Sequence, residues 1–179
     1  MQAKMLAMAK SKRNRLTKRT IAVRMLNTKT KNMMKLTKNF SLEELIFSVT
    51  ANNHGLDNTP NAEAKAALKR LAVEVLQPIR DAYGQPIVVT SGYRCPALNK
   101  AVGGVKNSQH VLGQAADIKA INPRANGILF AFIHDLVKSG KLKVGQLIWE
   151  YGTKTRPNWI HVSLPRVGKP NNQVLYYYS

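Results

Sequence analysis

The sequence predicts an α+β fold preceded by a basic N-terminal arm, and three observations carry this prediction. Apolar residues recur at the three-four spacing of a helix through residues 68–79, whereas short β-branched or apolar runs bounded by turns dominate after residue 86. Helical patterns therefore come first and strand patterns follow, which is typical of the α+β class. The third observation is a run of positive charge that ends at Lys38.

Length and composition limit the kinds of protein that the chain can be. With 179 residues, of which 44% are hydrophobic and 21% charged, it has the size and composition of one globular domain with an appendage. The longest apolar runs, such as residues 128–133, are far too short to cross a bilayer. The single cysteine, Cys95, excludes an internal disulfide, and we interpret it as structural because no Cys-His motif accompanies it.

Positive charge is concentrated at the N-terminus. Residues 1–38 contain twelve of the 28 Lys and Arg residues and no acid, whereas the remaining sixteen bases and nine acids give a net charge of +7. We therefore expect residues 1–38 to be an extended or flexible arm and residues 39–179 to be the folded domain. The expected partner of the arm is a polyanion, either an anionic wall polymer or nucleic acid. Because Lys or Arg interrupts every apolar stretch of the arm, we expect no signal peptide.

Two helices are predicted at the start of the domain. In the segment 40–45, Ser41 is a candidate N-cap and Glu44 closes a capping box. A second helix is expected to begin at Pro60, and Pro78 is expected to kink or end it. The predicted buried face of this helix follows three-four spacing: Leu68, Leu71, Ala72, Val75, Leu76 and Ile79.

The second half of the domain is predicted to contain most of the strands. Gly84 marks a turn, and residues 86–90 have the β-branched composition of a short buried strand. A third helix is expected over residues 122–140, ending at Gly140. Two further strands, 144–151 and 158–164, are joined by a polar turn and predict an antiparallel hairpin.

One segment contains residue types that commonly bind metal ions in proteins. Residues 108–117 read Ser-Gln-His-Val-Leu-Gly-Gln-Ala-Ala-Asp, and a Trp-Ile-His motif follows at His161. Two imidazoles and one carboxylate, from His110, Asp117 and His161, are a standard ligand set for one catalytic Zn²⁺ with a fourth position for water. A His and an Asp at this spacing also fit a hydrogen-bonded structural pair.

The complete pattern, Ser-x-His-x-x-Gly-x-Ala-x-Asp followed by Trp-x-His, resembles the zinc D-Ala-D-Ala carboxypeptidases and the phage L-alanyl-D-glutamate endopeptidases. The resemblance extends from about Phe40 to Ser163 and includes residues 90–96, 98–99 and 102–104. It implies a small α+β domain similar to the hedgehog signalling domain, with helices packed on a mostly antiparallel sheet beneath the metal.

The resemblance also implies roles for individual residues. His110, Asp117 and His161 match the zinc ligands of the family. Arg94 matches an arginine that stabilises the substrate oxyanion, for which a permanently charged guanidinium is suited, although a structural arginine is the alternative. Ser108 is a candidate substrate contact or a loop cap. Tyr93 and Gln109 are the other candidate substrate-binding residues.

The general base departs from the pattern of the family. Many members have an acidic residue three positions before the last histidine, and this chain has Asn158 there. Glu150 is the nearest substitute, because the predicted hairpin places it roughly opposite His161, where it could relay protons. The alternative is an acid on the surface of the sheet. We interpret Trp149, Trp159 and the tyrosines at 176–178 as packing and edge-strand residues rather than a platform for sugars.

The resemblance implies a zinc metallopeptidase that hydrolyses amide bonds of bacterial peptidoglycan stem peptides, as a carboxypeptidase or an endopeptidase. The expected setting is a phage or prophage lysis or wall-penetration protein, either in the host cytoplasm before release to the wall or in the virion. A relative that holds zinc and binds wall peptide or builds a virion without catalysis is one alternative. A nucleic-acid or assembly protein that works through its basic arm is another.

Overall fold

A computed structural model describes residues 33–178 of the chain. The compact unit begins at Lys35, four residues before the expected start at residue 39. It begins earlier because Leu36 is buried in the hydrophobic core and Lys35 forms an antiparallel bridge with Ser41. The expected extended or flexible state of residues 1–32 lies outside the described residues.

The first helix confirms the predicted N-cap. Helix α1 (Leu42–Ile46) begins after Ser41, whose hydroxyl accepts a hydrogen bond from the Glu44 amide at 3.3 Å. A second short helix that the sequence analysis did not predict, α2 (Val49–Asn53), follows at once.

Helix α3 (Ala62–Leu71) begins two residues later than predicted. Its N-cap is Asn61, whose side chain accepts a hydrogen bond from the Ala64 amide at 2.8 Å. The asparagine therefore satisfies a free amide of the first turn, and the helix begins after Asn61 instead of at Pro60.

Pro78 does not end this helix. A π-helical turn (Ala72–Leu76) follows α3 and leads directly into α4 (Gln77–Tyr83), which ends at Gly84 with a φ of 69°. The proline lies in the first turn of α4. Proline has no backbone N–H, and a helix tolerates this loss best in its first turn. All the predicted face positions are buried: Leu68, Leu71, Ala72, Val75, Leu76 and Ile79.

Two more helices follow among residues 33–178. Helix α5 (Pro96–Ala101) was not predicted, and Cys95 caps it by accepting a hydrogen bond from the Leu98 amide, which supports a structural role for the thiol. Helix α6 (Asn126–Lys138) follows a 3-10 turn (Pro123–Ala125) and confirms the predicted third helix. Within residues 33–178, none of the helices is long and apolar enough to span a bilayer.

Five strands form one sheet in the order β1-β2-β4-β3-β5. They are β1 (Ile87–Ser91), β2 (Ala115–Ala120), β3 (Gln146–Glu150), β4 (Trp159–Ser163) and β5 (Gln173–Tyr177). The β3-β4 hairpin and the α+β class are confirmed, but the expected mostly antiparallel sheet is wrong in one respect. The sheet is mixed, because β5 returns over a long connection and pairs parallel to β3.

The two faces of the sheet differ in character because side chains alternate along each strand. On one face, Ile118 and Ile160 are fully buried, and Trp149 packs against Phe130 of α6 with ring centroids 5.1 Å apart. On the other face, a cross-strand row of paired positions runs from β2 through β4 to β3: Asp117, His161 and Ile148. The hydrophobic core therefore packs on the face of the sheet that contacts the helices, and the row of Asp117, His161 and Ile148 lies on the opposite face.

Candidate metal centre and cleft

The predicted ligand residues converge on one point. His110 lies in the loop before β2, Asp117 on β2 and His161 on β4. One carboxylate oxygen, Oδ1 of Asp117, lies 3.2 Å from His110 Nε2 and 3.1 Å from His161 Nδ1, and the two ring nitrogens are 3.2 Å apart. All three residues are at most 7% exposed. Three potential metal ligands thus point at each other inside the protein.

Backbone contacts fix the orientation of His110. Its Nδ1 lies 2.7 Å from the carbonyl oxygen of Gly92, which can only accept, so Nδ1 is the donor of this hydrogen bond and Nε2 faces Asp117 and His161. Gly92 itself must be glycine here, because a Cβ atom would come within 2.2 Å of the Leu45 carbonyl oxygen. The close approach of this segment to α1 therefore prepares one imidazole for a metal ion.

The loop between His110 and Asp117 also needs small residues. Gly113 has a φ of 68°, and an added Cβ atom would lie 2.5 Å from the carbonyl oxygen of Ala64 in α3. Its amide donates back to the His110 carbonyl at 3.2 Å. This tight turn, packed on α3, carries the chain from one ligand to the strand of the next.

The electrostatics of the cluster favour an ionised carboxylate. Burial by itself would raise the pKa of Asp117. The neighbouring imidazoles of His110 and His161 lower this pKa by more than burial raises it, so the net pKa lies below the ordinary value. The second oxygen, Oδ2, accepts a hydrogen bond from Arg94 Nη2 at 2.5 Å. Asp117 is therefore in the charged form that binds a metal ion.

Arg94 is oriented from two sides. Its Nε donates to the hydroxyl of Ser91 at 2.8 Å while Nη2 holds Asp117. The guanidinium also lines the cleft above the cluster. It thus positions a ligand carboxylate, a contact that sequence analysis did not predict, and its role towards a substrate oxyanion stays a prediction.

The donor set fits Zn²⁺. Its two nitrogens and one oxygen lie within 4.8 Å of one another. Catalytic zinc sites commonly have three such protein ligands and an open fourth position for water, and all three residues of this set line the cleft.

A cleft of about 670 Å³ opens over the cluster. One wall is formed by residues 102–105 and 107–110, and the other by the site face of β3 and β4. This volume falls in the range of specific small-molecule and peptide pockets.

Glu150 lines this cleft, but its register differs from the expected one. It pairs with Trp159, whereas His161 pairs with Ile148, so Glu150 is a diagonal neighbour of the histidine. The indole Nε1 of Trp159 donates to Glu150 Oε2 at 2.7 Å. Trp159 therefore lines the cleft and orients a carboxylate, beyond the packing role assigned from sequence. Asn158 is exposed and does not line the cleft.

The three predicted substrate contacts have different surroundings. Ser108 lines the cleft, and its hydroxyl accepts a hydrogen bond from the His110 amide at 3.3 Å, so it also caps the loop. Gln109 lines the cleft and donates to the Leu164 carbonyl at 3.1 Å, while its Oε1 is buried with no partner among residues 33–178. Tyr93 is buried in the hydrophobic core and is not among the cleft residues.

Sequence reasoning missed several residues of the cleft. Ile148 shares a strand face with Glu150, and strand alternation could have found it. Tyr151 has a φ of 55°, which is unusual for a bulky residue, and its ring packs 5.3 Å from that of Trp159. Arg166 and Tyr177 follow the hairpin, where no local signal marks them as cleft residues.

A buried His-Asp-His cluster on the floor of an open cleft is the kind of site that can hold one metal ion. The profile of the Peptidase M15 family matches residues 38–163, about two thirds of the chain, and the chain belongs to this family. A zinc D-Ala-D-Ala carboxypeptidase from Streptomyces albus G is 48% identical over 46 residues. That match covers 25% of this chain and 18% of the Streptomyces enzyme.

Proposed function

We propose that this chain is a zinc-dependent peptidase that hydrolyses an amide bond in peptidoglycan stem peptides. The observation that carries the proposal is the buried cluster of His110, Asp117 and His161 at the floor of the cleft. Membership of the Peptidase M15 family and the partial match to a zinc D-Ala-D-Ala carboxypeptidase support the reaction type and the substrate class.

The ligand residues hold the ion, and the ion would supply Lewis acidity to the scissile carbonyl and lower the pKa of water. Glu150 is the proposed proton relay. Its Oε2 is engaged by Trp159, so Oε1 takes the proton from the attacking water and then gives it to the leaving nitrogen. Its place on the cleft wall, diagonal to His161, supports this role.

Arg94 is proposed to stabilise the developing oxyanion. Only Nε and Nη2 have hydrogen-bond partners among the described residues, which leaves Nη1 available in a residue that lines the cleft. A guanidinium already fixed by Ser91 and Asp117 can stabilise new negative charge without reorganising.

The finer assignment follows the motif resemblance. We propose a carboxypeptidase or an endopeptidase of phage or prophage origin that acts in lysis or wall penetration. Before release to the wall it would be in the host cytoplasm, or it would be part of the virion. The basic arm would bind an anionic polymer through its uneven charge.

A second candidate function is a non-catalytic protein that holds zinc and binds wall peptide or builds a virion. The observation that favours it is Asn158, which replaces the acid found in many relatives and lies exposed, outside the cleft lining.

Metal-dependent hydrolysis separates these functions. Purified chain is incubated with peptidoglycan and with a soluble stem peptide, before and after chelation and after zinc is restored. We expect about one zinc per chain, amide cleavage that stops on chelation and returns with zinc, and loss of both zinc and cleavage in His161→Ala. Zinc binding without cleavage would favour the binding protein, and no zinc uptake would exclude both.

A further inference from the structure

The charged groups that line the cleft differ in whether they have partners. Arg94 is paired with Asp117, and Glu150 accepts a hydrogen bond from Trp159. Arg166 also lines the cleft, yet its guanidinium forms no ion pair or side-chain hydrogen bond with any residue between 33 and 178. The cleft thus contains one cation whose charge the described part of the protein leaves uncompensated.

Arg166 is attached to a fixed part of the backbone. It follows β4 by three residues, and its amide donates to the side chain of Asn171 at 3.2 Å. Just before it, the Leu164 amide donates to the Gln114 carbonyl at 2.9 Å, and the Leu164 carbonyl accepts from Gln109 at 3.1 Å. Both partners belong to the loop that carries the first metal ligand. Hydrogen bonds therefore hold the base of Arg166 beside the metal loop.

We infer that Arg166 binds a carboxylate of the substrate and so selects acidic stem peptides. Arg166 is partly buried, so its interaction with an anion is less screened than one at the open surface. A guanidinium presents two parallel donors that match a carboxylate, and such charged pairs are stronger than hydrogen bonds to a neutral carbonyl. The inference rests on the proposed function, because that function supplies a peptide with free carboxylates.

Two sources of this carboxylate are compatible with the chemistry. A stem peptide carries one on its D-Glu residue and another at its C-terminus. Arg166 lies after residue 163, where the match to the family profile ends, so family membership does not assign the residue a role. The inference is therefore specific to this chain.

The test uses three synthetic stem peptides that differ only in charge. One is unmodified, one is amidated at the D-Glu carboxylate and one is amidated at the C-terminus. Dissociation constants are measured by calorimetry on chelator-treated chain, which prevents turnover, and kcat/KM is measured on the zinc form. Wild type is compared with Arg166→Gln, Arg166→Lys and Lys169→Gln. The last removes the same charge from an exposed residue of the same turn that does not line the cleft.

Arg166→Gln should weaken binding of the unmodified peptide about 10- to 100-fold and lower kcat/KM mainly through KM. Arg166→Lys should recover part of the loss, and Lys169→Gln should match wild type. The peptide whose amidated group is the carboxylate that Arg166 binds should bind wild type and Arg166→Gln equally. This equality identifies the recognised carboxylate. Equal affinity of wild type and Arg166→Gln for the unmodified peptide, or the same loss with all three peptides, would overturn the inference. Binding that depends on Arg166 without turnover would leave it standing and reject the proposed peptidase.

Discussion

The guanidinium of Arg94 joins the metal cluster to the cleft, since it bonds the oxygen of Asp117 that the imidazoles leave free. Lysine cannot hold Ser91 and Asp117 at the same time, because its ammonium is a single point rather than a planar fork. We expect Arg94→Lys to weaken zinc binding about 10- to 100-fold, as residues that orient metal ligands typically do. Competition with a chromogenic chelator measures this affinity. Arg124→Lys, in an exposed residue, is the control, and unchanged affinity in Arg94→Lys would contradict the positioning role.

Glu150→Gln tests the proposed base. The substitution keeps the shape and an oxygen that can accept from Trp159, but it removes the proton acceptor. We expect zinc content to stay at the wild-type level and kcat to fall about 10²- to 10⁴-fold. Asn158→Ala is the matched control, because this residue is exposed and lies outside the cleft lining, and it should change kcat little. Turnover near wild type in Glu150→Gln would move the base to another group.

Single residues also show where sequence reasoning succeeds. His110, Asp117 and His161 meet as predicted, because the motif specifies their spacing and two adjacent strands bring them into register. Trp159 was underestimated, since a tryptophan pattern does not reveal a hydrogen bond to a neighbouring strand. Arg166 could not be found, because its position depends on where the chain turns after β4.

Among the elements, the turn that follows β3 holds a strained residue. Tyr151 adopts a φ of 55° beside Gly152 at 78°, a conformation in which a Cβ atom costs about 1 kcal/mol. Tyr151→Gly should therefore be more stable than Tyr151→Ala by about this amount, as measured by denaturant unfolding. The same pair at Asp135, an exposed position inside α6, should show the opposite sign.

The same Tyr151 variants also test whether the tyrosine ring contributes to activity. Both small variants remove the ring that packs against Trp159, which orients Glu150, so kcat/KM should fall in both. Tyr151→Phe retains the ring and should retain most of the activity. If the small variants hydrolyse peptide as fast as wild type, the strained backbone has no part in catalysis.

The secondary structure was predictable where local signals are strong and missed where packing decides. The Ser41 cap, the Gly84 stop and the β3-β4 hairpin follow from short-range patterns. Pro78 was expected to kink or end its helix, but a π-helical turn before it lets the helical path continue. The direction of β5 could not be predicted, because a long connection permits either orientation and pairing with β3 selects one.

At the scale of the whole molecule, the concentration of Lys and Arg in residues 1–38 leads us to expect that the arm affects location and not the chemistry. We expect deletion of residues 1–32 to leave cleavage of a soluble stem peptide unchanged. The same deletion should weaken binding to whole walls at low salt, since attraction between the arm and a polyanion is screened as ionic strength rises. Sedimentation of wild-type and truncated chains with walls over a salt series measures this. Loss of activity on the soluble peptide would show that the arm contributes to the site.

A longer deletion provides the control for this boundary. Removing residues 1–38 also removes Leu36, whose side chain is buried in the core and whose carbonyl accepts a hydrogen bond from Lys69. Loss of a buried leucine side chain typically costs about 2–5 kcal/mol. The longer deletion should therefore lower the free energy of unfolding, whereas the shorter one should not.

The place of β5 in the sheet has a consequence for biosynthesis. A ribosome makes the chain from its N-terminus, so His161 emerges before Gln173–Tyr177, the strand that covers the outer edge of β3. All three predicted metal ligands are therefore made before Tyr177, which lines the cleft. Until β5 is added, β3 is an open edge that can pair with another nascent chain. We therefore expect the addition of β5 to lower the tendency of newly made chains to aggregate through this edge.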